Sequence, residues 1–128
     1  MSTKTIEQMC EHLQFLGYEI SIDEKVARAK HQSHFNMSLR VLSGGVLISS
    51  LFGGTAEAKQ NRTGLLEFVN GMNEKAGIAR FYCDKDSDLF VEAWHPDHYD
   101  RSEFGAFVEA WHRDCGLLEK MGGRQYLD

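Results

Sequence analysis

The sequence has little proline, no paired-cysteine motif and no long apolar run. Its single proline, Pro96, leaves the rest of the chain able to form regular helices and strands. The three cysteines form no CxxC pair, and an odd number argues against a disulfide framework and for a reducing compartment. No apolar segment is long enough to cross a bilayer, and the N-terminus lacks the apolar region of a signal peptide. The expected location is therefore the cytoplasm, with no membrane partner.

Basic residues are fewer than acidic ones, with 14 Lys and Arg against 19 Asp and Glu. The formal net charge is −5, which argues against a nucleic-acid partner, because such binding depends on cationic contacts to phosphates. The hydrophobic content of 42% is ordinary for a globular protein and predicts one domain over residues 1–128. The one basic stretch, Lys25–Arg40, is interpreted as a solvated strand edge, with a ligand site as the alternative.

Apolar residues at helical spacing predict two helices in the first part of the chain. The first runs from about Thr3 to Leu16 and ends before a glycine. The second lies somewhere within Thr55–Ala76. Its start is ambiguous, because Thr55, Asn61 and Thr63 could each act as the N-cap.

The last helix begins with a recognisable cap. Asp100 and Glu103 have capping-box spacing, and Tyr99 can pack against Phe104 as a hydrophobic staple. A pair of glycines ends this helix, and the tail from about residue 122 is expected to be flexible.

Alternating apolar residues predict five strands between these helices. The order is α-β-β-β-α-β-β-α, so the expected fold class is α+β with a five-stranded, mostly antiparallel sheet packed with helices. The five predicted strands are Tyr18–Ile22, Phe35–Val41, Val46–Phe52, Ala79–Cys83 and Leu89–Trp94.

Three segments carry a resemblance to a known family. They are HLQFLGYEISID, VLISSLFGG and LLEFVNGMNEKAGIARFYCDKDSDLFVEAW. From about Thr5 to Leu118 the chain resembles the YbjN-like family, described as bacterial sensory transduction regulators and similar in fold to class I chaperones of type III secretion. Ser87 stands where that family usually has glycine, and the basic stretch has no counterpart. The resemblance implies a non-enzymatic, dimeric domain that binds a partner or regulates one.

Two clusters could hold a metal ion, and neither is complete. Asp84, Asp86 and Asp88 imitate the start of a calcium loop, but the positions that need glycine and a bidentate acid hold Leu89 and His95. His95 with His98 supplies only two zinc ligands, whereas known sites use three or four. Both segments are interpreted as turns, and no metal or cofactor is expected.

No catalytic residue emerges from the sequence. The cysteines lie in apolar contexts, where cysteine behaves as a small hydrophobe. Gly53-Gly54 precedes a helix without the spacing of a phosphate-binding loop. An enzyme is not expected, because no nucleophile and base can be paired.

Four residues are candidates for contact with a protein partner. Phe15 lies about 180° from the centre of the apolar stripe on its helix. Leu66 lies at the edge of the apolar face of the second helix, and Asn70 and Asn73 are polar residues three positions apart on that helix. The hypothesis is a protein-binding module, chaperone-like or a regulatory adaptor, able to form a homodimer. The alternative is a small-ligand or metal-responsive sensor that uses the His95–His98 turn and the basic stretch.

Overall fold

The computed structural model describes residues 3–127 and confirms the α+β class. Six strands form one sheet in the order β1-β2-β3-β4-β6-β5, one strand more than predicted. Pairing is antiparallel for β1–β2, β2–β3, β3–β4 and β5–β6. No helix within residues 3–127 is both long and apolar enough to cross a membrane. In chain order the elements are α1 (Thr3–Phe15), β1 (Glu19–Asp23), β2 (Val26–Lys30), β3 (Met37–Leu42), β4 (Gly45–Phe52), α2 (Ala56–Gln60), α3 (Arg62–Lys75), β5 (Arg80–Cys83), β6 (Leu89–Pro96), α4 (Arg101–Cys115), α5 (Leu117–Lys120) and a 3-10 helix (Gly123–Tyr126).

Contacts divide the chain into two compact units. Unit 1 comprises Met1–Ser50 and Ala93–Glu109, and unit 2 comprises Leu51–Glu92 and Ala110–Asp128. The boundaries fall inside β4, β6 and α4. The single domain over residues 1–128 stays a prediction.

The strand that the sequence did not reveal is β2. It occupies the first part of the basic stretch, where Ala27 and Ala29 are buried and the intervening Arg28 is exposed. Its two alanines pair with residues of both β1 and β3. Alanine is small and a poor strand former, so the alternation gave only a weak hydrophobic signal. The prediction of five strands was wrong for this reason.

The core of unit 1 lies between α1 and the first three strands. One face of α1 carries Met9 and Leu13, both fully buried, and Leu39 of β3 is buried as well. The helix contacts β1, β2 and β3. This is the face that the helical spacing predicted.

One helix was predicted in unit 2 before β5, and two are present. The hydroxyl of Thr55 accepts a hydrogen bond from the Ala58 N–H and caps α2. The side chain of Asn61 accepts one from the Gly64 N–H and caps α3. Two of the three candidate caps are therefore used, and each begins its own helix, whereas Thr63 lies inside α3.

The start of α4 matches its prediction in part. The Asp100 carboxylate accepts the Glu103 N–H at 2.9 Å, and the rings of Tyr99 and Phe104 lie 5.9 Å apart. The Glu103 carboxylate, however, contacts His98 at 2.9 Å. The cap and the staple are confirmed.

The tail, which the sequence predicted to be flexible, packs within unit 2 over residues 123–127. Tyr126 is buried, and its ring lies 5.5 Å from that of Phe68. Its carbonyl oxygen accepts the Thr55 N–H, and Leu127 forms a bridge with Gly54. A single tyrosine after two glycines has no periodicity, so its burial was invisible in the pattern.

Candidate functional site

Phe15 is the most exposed large apolar side chain of the described residues, at 76%. It lies at the last residue of α1, on the side away from the buried stripe. The guanidinium of Arg101, from the first turn of α4, lies 5.5 Å from the centre of its ring. The predicted exposure of Phe15 is therefore confirmed, and its ring has a cationic neighbour.

A cavity of about 270 Å³ adjoins this ring, and we call it the α1 pocket. At its polar wall, His12 Nδ1 and the Tyr99 hydroxyl are hydrogen-bonded at 2.9 Å. Burial lowers the pKa of His12, and the nearby Arg101 lowers it further, so the imidazole is neutral at pH 7. An imidazole, a phenol, an open aromatic ring and the opposite charges of Glu11 and Arg101 suit an amphipathic side chain better than a strongly charged ligand. The pocket is lined by Gln8, Glu11, His12, Phe15, Tyr99 and Arg101.

The basic stretch continues after β2 as a loop organised by histidine. His31 Nδ1 accepts hydrogen bonds from the backbone N–H groups of Ser33 and His34, at 2.9 and 3.2 Å. The His31 ring also lies 4.8 Å from that of Tyr18 and 4.7 Å from that of His34. Burial lowers the pKa of His34, with a smaller contribution from His31. These contacts use both imidazoles to hold the loop.

The three residues of α3 that were predicted to contact a partner, Leu66, Asn70 and Asn73, have different surroundings in the structure. Leu66 is 46% exposed, and Asn70 is exposed as well. The Asn73 amide is already engaged: Oδ1 accepts the Phe81 N–H and Nδ2 donates to the Phe81 carbonyl, both at 2.8 Å. Phe81 lies on β5, an outermost strand of the sheet. The Asn73 side chain therefore satisfies backbone groups at the outer edge of β5. Because its amide is used within the protein, we leave Asn73 out of the proposed partner surface.

Asp114 has a structural role that the sequence analysis missed. It is only 2% exposed, and its carboxylate accepts the N–H groups of Gly77, Ile78 and Ala79 at 2.8–3.1 Å. These donors lie in the segment that leads into β5. An acid within the apolar stripe of α4, three residues after Trp111, was the available signal.

The acidic turn between β5 and β6 is held by its own side chains. Asp84 Oδ1 accepts the backbone N–H groups of Asp86 and Asp88. Arg62 Nη1 donates to the Asp84 carbonyl and to the Ser87 hydroxyl. Ser87 has a φ of 65°, a left-handed conformation that favours glycine. A glycine at this position would adopt the same conformation without strain.

The two histidines considered as zinc ligands have different neighbours. The interpretation of His95–His98 as a turn was wrong for His95 and Pro96, because β6 continues through Pro96. His95 is buried, and its ring lies edge-on to Phe107 at 5.0 Å while Nδ1 contacts the Pro96 carbonyl oxygen. His98 is exposed and pairs with Glu103. Within residues 3–127, no group of three or more metal-ligating side chains comes together.

The three cysteines are not in disulfides. Cys10 and Cys115 are buried, and Cys83 is half-buried. Burial, with a smaller contribution from Glu7, raises the pKa of Cys10 to about 11. Burial and the adjacent Asp114 raise the pKa of Cys115 to about 12. Thiols held in this way are poor nucleophiles at neutral pH.

On β6, Trp94 lies against the neighbouring strand of unit 1. Its indole N–H donates to the Leu42 carbonyl at 2.8 Å, and a Cβ built on Gly45 would overlap the ring. Because Gly45 has no side chain, the indole of Trp94 can pack against its backbone, and the ring stays about half exposed.

Comparison with known proteins identifies a fold. No known protein-family profile matches the chain, and no curated protein matches it. Among solved structures, the chain is similar to YbjN, a candidate transcription regulator from E. coli, with a TM-score of 0.75 and 13% sequence identity. The match covers 96% of this chain and 95% of that chain. The chain therefore has a YbjN-like fold, and at this identity the likeness extends to the fold alone.

Proposed function

We propose that this protein is a non-enzymatic protein-binding module and that its partner contacts the α1 pocket. The observation that carries the proposal is the open ring of Phe15 with Arg101 above it. Aromatic and arginine side chains dominate the energetics of protein interfaces. A pocket beside them can receive a side chain of the partner, while the polar groups of His12 and Tyr99 orient it.

A chaperone-like or regulatory adaptor is the form of this function that we favour. The exposed Leu66 and Asn70 of unit 2 offer a second contact surface, and a homodimer through that surface belongs to the same proposal. Three cysteines outside disulfides support a location in the cytoplasm. The sensor alternative has less support, because the imidazoles of His31 and His95 are engaged by their own surroundings.

The test of the α1 pocket is a matched pair of charge substitutions. Phe15→Asp places a charge at the proposed contact, and Gln14→Asp places the same charge on the adjacent exposed residue. Proteins recovered from native lysate with the wild type and Gln14→Asp, but not with Phe15→Asp, are then purified. We expect their affinity for Phe15→Asp to be at least tenfold weaker. Equal affinity for the two variants, or unfolding of Phe15→Asp, would contradict the proposal.

The homodimer has a separate readout in the mass measured by light scattering. Leu66→Asp should lower the mass of a dimer toward that of the monomer. Thr63→Asp, an exposed position on the same helix, should leave it unchanged. A wild-type protein that is monomeric at every concentration measured would exclude the dimer without affecting the α1 pocket.

A further inference from the structure

The outer edge of β1 presents unpaired backbone groups. Within residues 3–127, β1 pairs with β2 alone and lies at the end of the strand order. A two-residue turn joins the strands, so the closing pair Asp23–Val26 exchanges backbone hydrogen bonds. Alternation along the strand then directs the N–H and C=O groups of Ile20 and Ile22 outward. Such an edge is a template for another strand.

The side chains of β1 divide by chemistry between the two faces of the sheet. Ile20 and Ile22 share one face with the buried alanines of β2, yet Ile22 is 62% exposed. Glu19 and Asp23 lie on the other face and are exposed. A strand added beside β1 would therefore meet an apolar row on one face and an acidic row on the other.

The strand that already pairs with β1 shows which chemistry fits these rows. Opposite Glu19 lies Lys30, and Asp23 has an ionic contact of 3.8 Å with Arg28. The residues of β2 on the apolar face are Ala27 and Ala29. Basic residues thus accompany the acidic row on the paired side of β1, and no strand within residues 3–127 pairs with the outer side.

A second copy of β1 is a poor occupant of this edge. The antiparallel register that pairs the outward groups of Ile20 with those of Ile22 places Glu19 opposite Asp23 of the other copy, twice. Like charges directly opposite each other destabilise a strand pair. The acidic row therefore disfavours self-association while leaving the edge open to a basic strand.

We propose that β1 binds an extended segment of a partner protein as an added antiparallel strand, in which lysine or arginine alternates with apolar residues. Its basic side chains lie over Glu19 and Asp23, and its apolar side chains lie beside Ile20 and Ile22. This inference rests on the proposed protein-binding function and adds to it a partner class and a further contact surface, the edge of β1. Backbone bonds provide the affinity, and the alternating side chains provide the specificity.

The test uses a capped, fluorescently labelled peptide in which Lys and Val alternate. We expect binding by anisotropy that weakens with salt, together with slower amide exchange at Ile20 and Ile22. A peptide of alternating Glu and Val should bind at least tenfold more weakly. The double variant Glu19→Lys, Asp23→Lys should reverse this preference. Equal binding of the two peptides, or unchanged exchange at both isoleucines, would overturn the proposal.

A backbone variant separates strand addition from simple charge attraction. Ile22→Pro removes an outward N–H and should weaken Lys–Val peptide binding at least tenfold, whereas Ile22→Val keeps the N–H and should bind like the wild type. The fold of each variant is checked by circular dichroism. If Ile22→Pro unfolds, amide exchange at Ile20 and Ile22 and the Glu19→Lys, Asp23→Lys variant decide whether the peptide binds as an added strand. Slowed exchange at Ile20 and Ile22 on dimerisation without peptide would instead indicate self-pairing. The peptide measurement is independent of Phe15-dependent capture, so either can fail alone.

Discussion

The two outermost strands of the sheet, β5 and β1, manage their unpaired backbone groups in opposite ways. On β5, the Asn73 amide satisfies both the N–H and the carbonyl of Phe81, and Asp114 binds the segment that leads into the strand. On β1, no described strand pairs with the outward backbone groups, and acidic side chains flank them. Natural sheets use both covering and charge to prevent unwanted pairing.

This difference shows which edge is structural and which is available. The Asn73 amide must be displaced before another strand can pair at Phe81, so this part of the β5 edge is closed to partners. A charged edge excludes only strands of the same sign. Substitutions that open the edge of β5 or perturb the edge of β1 test this contrast.

The largest effect is expected from Asp114→Ala. This change leaves three backbone donors without their buried acceptor, and each buried unsatisfied group costs about 1–3 kcal/mol. The free energy of unfolding should fall by about 3 kcal/mol in urea titrations. Asp114→Asn keeps one acceptor oxygen and should lose less. A loss below about 1 kcal/mol for Asp114→Ala would show that water replaces the carboxylate.

The cap on β5 should have a smaller effect. Asn73→Ala removes two hydrogen bonds to Phe81 and should lower the free energy of unfolding by about 1–2 kcal/mol. Amide exchange at Phe81 should accelerate, because the edge becomes open. Asn70→Ala, on the same helix, should change stability by less than about 0.5 kcal/mol. If Asn73→Ala and Asn70→Ala have the same free energy of unfolding and the same amide exchange at Phe81, Asn73 does not protect the edge of β5.

A substitution on the open edge should be nearly silent for stability. Ile22→Thr keeps a β-branched side chain at a position already exposed to water, so the change should lie within about 0.5 kcal/mol. The measurement is again a urea titration. A loss well above that value would mean that Ile22 is covered in solution, and the edge would not be open.

A difference in thiol labelling rates reports on β5 without a change in stability. Because burial raises the pKa of Cys10 to about 11 and that of Cys115 to about 12, both are protonated at pH 8. The half-buried Cys83 of β5 should react at least tenfold faster with a thiol reagent. Labelling of Cys83 should accelerate further in Asn73→Ala. Equal rates for the three thiols would contradict the burial seen here.

The raised pKa values also fix the direction of an alkaline effect. Protonated thiols are favoured in the folded state, so their contribution is complete below about pH 9, the unfolded value. It is lost as the pH rises toward 11–12. The loss should be smaller in Cys115→Ala than in the wild type.

The sequence predicted the fold where local chemistry decides the structure. The cap of Asp100, the staple of Tyr99 and the alternating strands all depend on neighbours close in the chain. It failed where burial depends on distant partners. The alanines of β2 are buried because strands flank them on both sides, and Tyr126 is buried because Phe68 lies beneath it.

The residues proposed to contact a partner could also be predicted only where local geometry decides their position. Helical geometry alone placed Phe15 outside the buried stripe, and the structure confirms its exposure. The same reasoning could not separate Asn70 from Asn73, because the partner of Asn73 is a backbone group on β5. The open edge of β1 was also hidden, since it became an edge only through the pairing order.

The packing of the Trp94 indole against Gly45 provides an intrinsic fluorescence probe of unit 1. The chain has two tryptophans: Trp94 lies in unit 1 and is half exposed, whereas Trp111 lies in unit 2 and is fully buried. Indole fluorescence shifts to longer wavelength when the ring contacts water, so the two emissions differ. Gly45→Ala would displace the indole of Trp94 and leave that of Trp111 in place. The unfolding of each unit can therefore be followed separately by the emission wavelength of the tryptophan that it contains.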